Sequence, residues 1–94
     1  MKVSNMTSPN GNKVANQFII MNDNSRVFQS YDSVITIIKD DGNLGEVTLD
    51  KHYRNYSRTT SKYRNQFLHE TTKETQAKID NGTYKLANLN WTRA

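Results

Sequence analysis

Apolar residues recur at every second position through much of the first fifty residues, and at every third or fourth position after that. Successive side chains of a strand face opposite ways, whereas residues three and four apart on a helix share a face. The change of period therefore predicts a sheet followed by helices. Residues 17–21 (QFIIM) form a short apolar run between turn formers and predict a strand with Phe18 and Ile20 on one face. Residues 22–25 (NDNS) read as a hairpin loop and residues 26–31 (RVFQSY) as the returning strand. Ser33–Lys39 (SVITIIK) is the strongest strand signal, because its β-branched residues are apolar on both faces. That pattern predicts a central strand covered on both sides. Asp40, Asp41, Gly42 and Asn43 supply a turn, after which residues 45–50 (GEVTLD) alternate with Val47 and Leu49 inward. The expected sheet is an antiparallel meander of three to four strands.

Residues 1–16 contain Ser8, Pro9, Asn10 and Gly11, a turn signature, and read as an irregular N-terminal arm of a single domain spanning 1–94. Residues 50–68 (DKHYRNYSRTTSKYRNQFL) carry the distinct chemistry of the chain. If most of this stretch is helical, Tyr53, Tyr56, Thr60, Tyr63 and Phe67 fall within about a quarter-turn, with Lys51, Arg54, Arg58 and Lys62 on the far side. Ser57 or Thr59 could cap a helix running to about Glu70, with a start at Asp50 as the alternative. Thr71 and Glu74 have capping-box spacing and Asn81–Gly82 resembles a helix end, so a second, short helix is expected over about residues 72–81. Residues 83–91 place Tyr84, Leu86, Leu89 and Trp91 where they could cover the sheet, as a strand or an extended tail. The fold class is α+β, with one main and one short helix after the sheet. The expected core is Phe18, Ile20, Ile35, Ile37, Val47, Leu49, Tyr63 and Phe67.

Composition narrows the function classes. A chain of 94 residues has a thin core, and self-association as a homodimer is an economical way to thicken it. There is no cysteine, which removes disulfides and thiolate metal sites, and two histidines alone give no zinc site. No window approaches the roughly 20 apolar residues of a membrane-spanning helix and no signal peptide is visible, so no membrane partner and a cytoplasmic setting are expected.

Net charge is +4, unevenly spread: residues 22–50 hold two cations and six acids, and residues 51–64 hold five cations and no acid. Segregation of this kind suits an acidic protein surface or nucleic acid. The candidate binding residues are Lys51, Arg54, Arg58 and Lys62, with Arg64 near the edge of the aromatic face. On a continuous helix the aromatics would lie opposite the cations, so base stacking and phosphate contact would not share a face. Asp40 with Asp41 reads as a turn rather than a catalytic pair, and Ser57, Thr59 and Thr60 with His52 or His69 lack an oxyanion signature. No catalytic residues, cofactor or metal are expected.

The words NGNKVANQF at residues 10–18, FQSYDSVI at 28–35 and YSRTTSKYRNQFL at 56–68 resemble a family of small uncharacterised proteins of bacteriophages and related mobile elements. The resemblance implies a context and no site residues. Accessory proteins of that kind modulate host processes, including inhibition of nucleic-acid-targeting defence such as CRISPR. The expected function is a non-enzymatic accessory protein that occludes a nucleic-acid-handling complex in the host cell cytoplasm. Alternatives are a direct DNA- or RNA-binding protein and a virion or assembly component.

Overall fold

The computed structural model describes residues 2–39 and 46–90. Five antiparallel strands follow one another in space as in sequence: β1 (Lys2–Thr7), β2 (Lys13–Met21), β3 (Ser25–Ser30), β4 (Ser33–Lys39) and β5 (Glu46–Asp50). Two helices, α1 (Arg58–Leu68) and α2 (Thr72–Asp80), then return the chain to the same edge. There β6 (Lys85–Ala87) pairs parallel to β5, with Leu49 beside Leu86. The architecture is α+β, with a six-stranded mixed sheet where an antiparallel sheet of three to four strands was expected.

The additional strands have identifiable causes. The stretch 1–16 is not an irregular arm: it supplies β1 and the start of β2, joined through the Ser8–Gly11 turn signature. Gly11 takes φ 85 and its amide donates to Ser8 O at 2.8 Å, a conformation that glycine adopts without a Cβ clash. The Asn22 amide closes the next hairpin on Ser25 O at 2.9 Å. The short tail strand β6 extends the sheet edge instead of covering its face, which leaves Leu86 exposed. The expected turn at Asp40 and Asp41 and the expected packing of Trp91 lie outside the described residues.

One face of the sheet carries the core. Met6, Phe28, Ile35 and Ile38 pack with Tyr63 and Phe67 of α1, and Val14, Ile19, Val47 and Leu68 surround them. The Phe28 and Phe67 rings stack with centroids 5.8 Å apart. Phe28 pairs with Thr36 and Gln29 with Val34, leaving Ile35 as an extra residue. This β-bulge turns the neighbours Ile35 and Thr36 toward the helix together, which strict alternation forbids.

Three expected core residues, Phe18, Ile20 and Ile37, belong to the other face and are only half-buried. The register shows why: Val3, Ile20, Val27 and Ile37 stand beside one another in a cross-strand row. No described helix lies over that row, since α1 packs on the Phe28 side. Among the described residues the SVITIIK strand is therefore central, with a helix packed on one side only.

Candidate functional site

The stretch from Asp50 to Leu68 divides at Ser57. Ser57 has extended backbone (φ −151, ψ 171), and its Oγ accepts from the Thr60 amide at 3.1 Å, so the main helix begins at Arg58. Its other end is closed by His69 at φ 57, whose amide reaches Asn65 O and Gln66 O. Among the helical residues the predicted periodicity holds, with Thr60, Tyr63 and Phe67 buried.

Residues 51–57 are turns, and two buried charged side chains hold them there. The Asp50 carboxylate accepts from the amides of His52 at 3.0 Å and Tyr53 at 2.7 Å through one oxygen, and from the Leu89 amide at 2.7 Å through the other. A carboxylate bonded to the amides two and three residues ahead caps one turn, in which the Arg54 amide donates to Asp50 O at 3.3 Å, and the chain does not continue that turn into a helix. From the other side, Arg64 Nη1 donates to Arg54 O at 2.6 Å and to Asn55 Oδ1. Its Nη2 donates to Asn65 Oδ1 at 2.9 Å and Thr72 Oγ1 at 3.3 Å, so one guanidinium joins the turn, α1 and α2.

That geometry redistributes the expected site. Arg64 is 1% exposed and its bonds are internal, so it is a positioning residue rather than a binding residue. Burial, with Arg54 nearby, lowers its pKa, while Glu70 acts in the opposite direction. Arg54 is half-buried and its Nη1 donates to Lys51 O at 2.6 Å. Lys51, Arg58 and Lys62 are exposed. Arg58 and Lys62, four residues apart on α1, share a helical face, and Lys62 Nζ stands 5.3 Å from the centroid of the Tyr63 ring.

The largest correction concerns the tyrosines. Tyr53 and Tyr56 do not join Tyr63 and Phe67 in a packing face: they are 36% and 68% exposed. Their rings lie 5.8 Å apart, tilted by 58°, as a pair. Together with the β3–β4 turn they line an open groove of about 540 Å³ at the start of α1. Ile35 and Thr60 form part of its lining, and Tyr31, 48% exposed, stands on the turn side. Hydroxyls meet there too: Ser30 Oγ lies 2.8 Å from Thr60 Oγ1, to which Ser57 Oγ donates at 3.1 Å.

Those hydroxyls are bonded to one another, and these bonds do not include a histidine. His52 is an exposed turn residue and His69 the exposed cap of α1. Among the described residues no group of three or more histidines, aspartates or glutamates is placed to hold a metal. No helix of the described residues is long and apolar enough to cross a membrane.

The second helix is fixed by its own polar contacts. Thr71 and Glu74 form the capping box, with bonds of 3.0 and 3.1 Å. Glu70, its side chain 4% exposed, accepts from Thr75 Oγ1 at 2.9 Å and Lys78 Nζ at 2.6 Å. Burial raises the Glu70 pKa, but hydrogen bonds from Lys78, Tyr84 and Thr75 outweigh it and hold the carboxyl below its ordinary value.

A family model matches residues 1–82. The chain belongs to DUF8033, a family of unknown function. No curated protein and no solved structure matches it. For this DUF8033 member the sequence signals that were missed are local ones. Asp50 at a strand end before a turn is a candidate for bonding its own backbone two residues on. Tyr31 sits in the loop of a two-residue hairpin, where an aromatic ring is unusual.

Proposed function

We propose that this protein is a non-enzymatic binding protein whose tyrosine and cation surface takes single-stranded nucleic acid. One observation carries the reading: Tyr53 and Tyr56 are exposed as a pair within the acid-free basic segment 51–64. Sequence-tolerant binding of single strands combines cations along the backbone with aromatic rings on which bases stack. On a continuous helix these two groups would point apart. The break at Ser57 removes that objection, because the tyrosines belong to a turn and the cations Arg58 and Lys62 to the helix that follows.

A second reading rests on the same charge segregation, in which the surface meets an acidic protein. It corresponds to a phage-type accessory factor occluding a nucleic-acid-handling complex. The two readings differ in their salt dependence. Fluorescence anisotropy with labelled single-stranded and duplex oligonucleotides over a salt series tests them. Contact with three phosphates of a single strand gives a log affinity against log salt slope of about −2. The Arg58→Glu, Lys62→Glu double variant then loses binding and flattens the slope. Absence of oligonucleotide binding at low salt overturns the nucleic-acid reading and leaves the acidic protein partner.

A further inference from the structure

Ser30 pairs with Ser33, so Tyr31 and Asp32 alone join β3 to β4. Where a two-residue hairpin needs positive φ at its first position only, glycine is the residue that the geometry favours. Tyr31 occupies that position at φ 54, and the positive-φ residues do not include Asp32. A bulky side chain in the left-handed region is strained, and strain of this kind collects at functional sites. Burial does not offset it, because the Tyr31 side chain is 48% exposed. The ring stands instead on the groove that Tyr53 and Tyr56 also line.

We infer that this groove is a slot for one unpaired base, and that Tyr31 is retained at a glycine-favouring position as one of its stacking walls. The inference rests on the nucleic-acid reading above and extends it to a residue outside the basic segment. Three aromatic side chains and a volume of about 540 Å³ suit a flat ring. The lining also supplies the hydroxyl of Ser33, which can meet the polar edge of a base, whereas those of Ser57 and Thr60 are engaged with each other. The occupant is the neutral ring, with the phosphates outside the groove, since among the described residues no cation lines it. A base that remains paired and stacked in a duplex does not reach such a slot.

The test uses the full chain with Tyr31→Gly and Tyr31→Phe, read by anisotropy with a labelled single strand and its duplex, and by thermal melting. The expected result for Tyr31→Gly is an unchanged or raised melting temperature, with single-strand affinity lowered about 5- to 150-fold and duplex affinity unchanged. Tyr31→Phe keeps the stacking face and binds as the parent does. Parent-like single-strand binding by Tyr31→Gly, in a protein whose Arg58→Glu, Lys62→Glu variant is impaired, overturns the slot and leaves the nucleic-acid reading standing. A lowered melting temperature for Tyr31→Gly overturns the argument that the ring is retained against the preference of the fold. A parent that binds no oligonucleotide removes both.

Discussion

Residues 50–57 and 58–68 share one spacing of tyrosines and cations, and the fold treats the two halves in opposite ways. In the second half Tyr63 and Phe67 point into the core against Phe28. In the first half Tyr53 and Tyr56, at the same three- and four-residue steps, face solvent. Ser57 and two buried charges separate them. Ser57 caps α1, Asp50 bonds the amides of His52 and Tyr53, and Arg64 reaches back to Arg54 O. An amphipathic period therefore identifies a helical face only as far as the first residue that satisfies the backbone in another way.

That comparison breaks most readily in its helical half. Phe67→Ala removes a ring from the centre of the core and should cost about 3–5 kcal/mol, a large share of the stability of a small domain. Tyr56→Ala should move stability by about 0.5 kcal/mol or less, since its side chain lies mostly in solvent. Chemical denaturation of both variants checks the contrast, and equal losses would return Tyr56 to the packing face.

The buried charges come next. Asp50→Ala leaves three backbone amides without their acceptor and should destabilise by roughly 2–4 kcal/mol. Arg64→Met keeps the length of the stem while removing the donors to the turn and to Thr72. It should cost about 2–3 kcal/mol and free the 51–57 segment. Hydrogen exchange at the Tyr53 and Tyr56 amides, faster in both variants than in the parent, reports the loosened turn. Unchanged exchange would mean that the segment holds itself.

A smaller effect appears with pH. The Glu70 pKa is lowered in the folded protein. Its contribution is therefore present above the unfolded value of about 4.3 and is lost as pH falls through the lower folded value. Lys78 has the opposite sign: its raised pKa, due first to the Glu70 hydrogen bond, gives a contribution present below the ordinary lysine value and lost as pH rises through the folded one. Glu70→Gln should melt below the parent at neutral pH and converge with it in acid. A constant difference across that range would contradict the coupling.

Much of the fold is legible in the sequence because each signal is local. The SVITIIK strand, the hairpin at residues 22–25, the Thr71–Glu74 capping box and the Asn81–Gly82 helix end all depend on neighbours in the chain. What the sequence conceals depends on distant partners. Phe18, Ile20 and Ile37 look like core residues by alternation, but parity does not say which face a helix will cover. The Ile35 bulge and the parallel pairing of β6 are fixed by register across strands. For the site, the cations at Lys51, Arg58 and Lys62 are visible by charge alone. The burial of Arg64 and the exposure of Tyr53 and Tyr56 follow from a break whose clearest sequence marks are Asp50 and Ser57.

The proposed binding surface depends on the break at Ser57, before which Tyr53 and Tyr56 are exposed. The most direct measurement is single-strand oligonucleotide affinity for the parent and for the Tyr53→Ala, Tyr56→Ala double variant, taken alongside their denaturation curves. The predicted result is binding by the parent that falls with salt, and a double variant whose affinity drops about tenfold or more while its stability changes by about 1 kcal/mol or less. A double variant that binds as tightly as the parent, or one that unfolds as readily as Phe67→Ala, would contradict it.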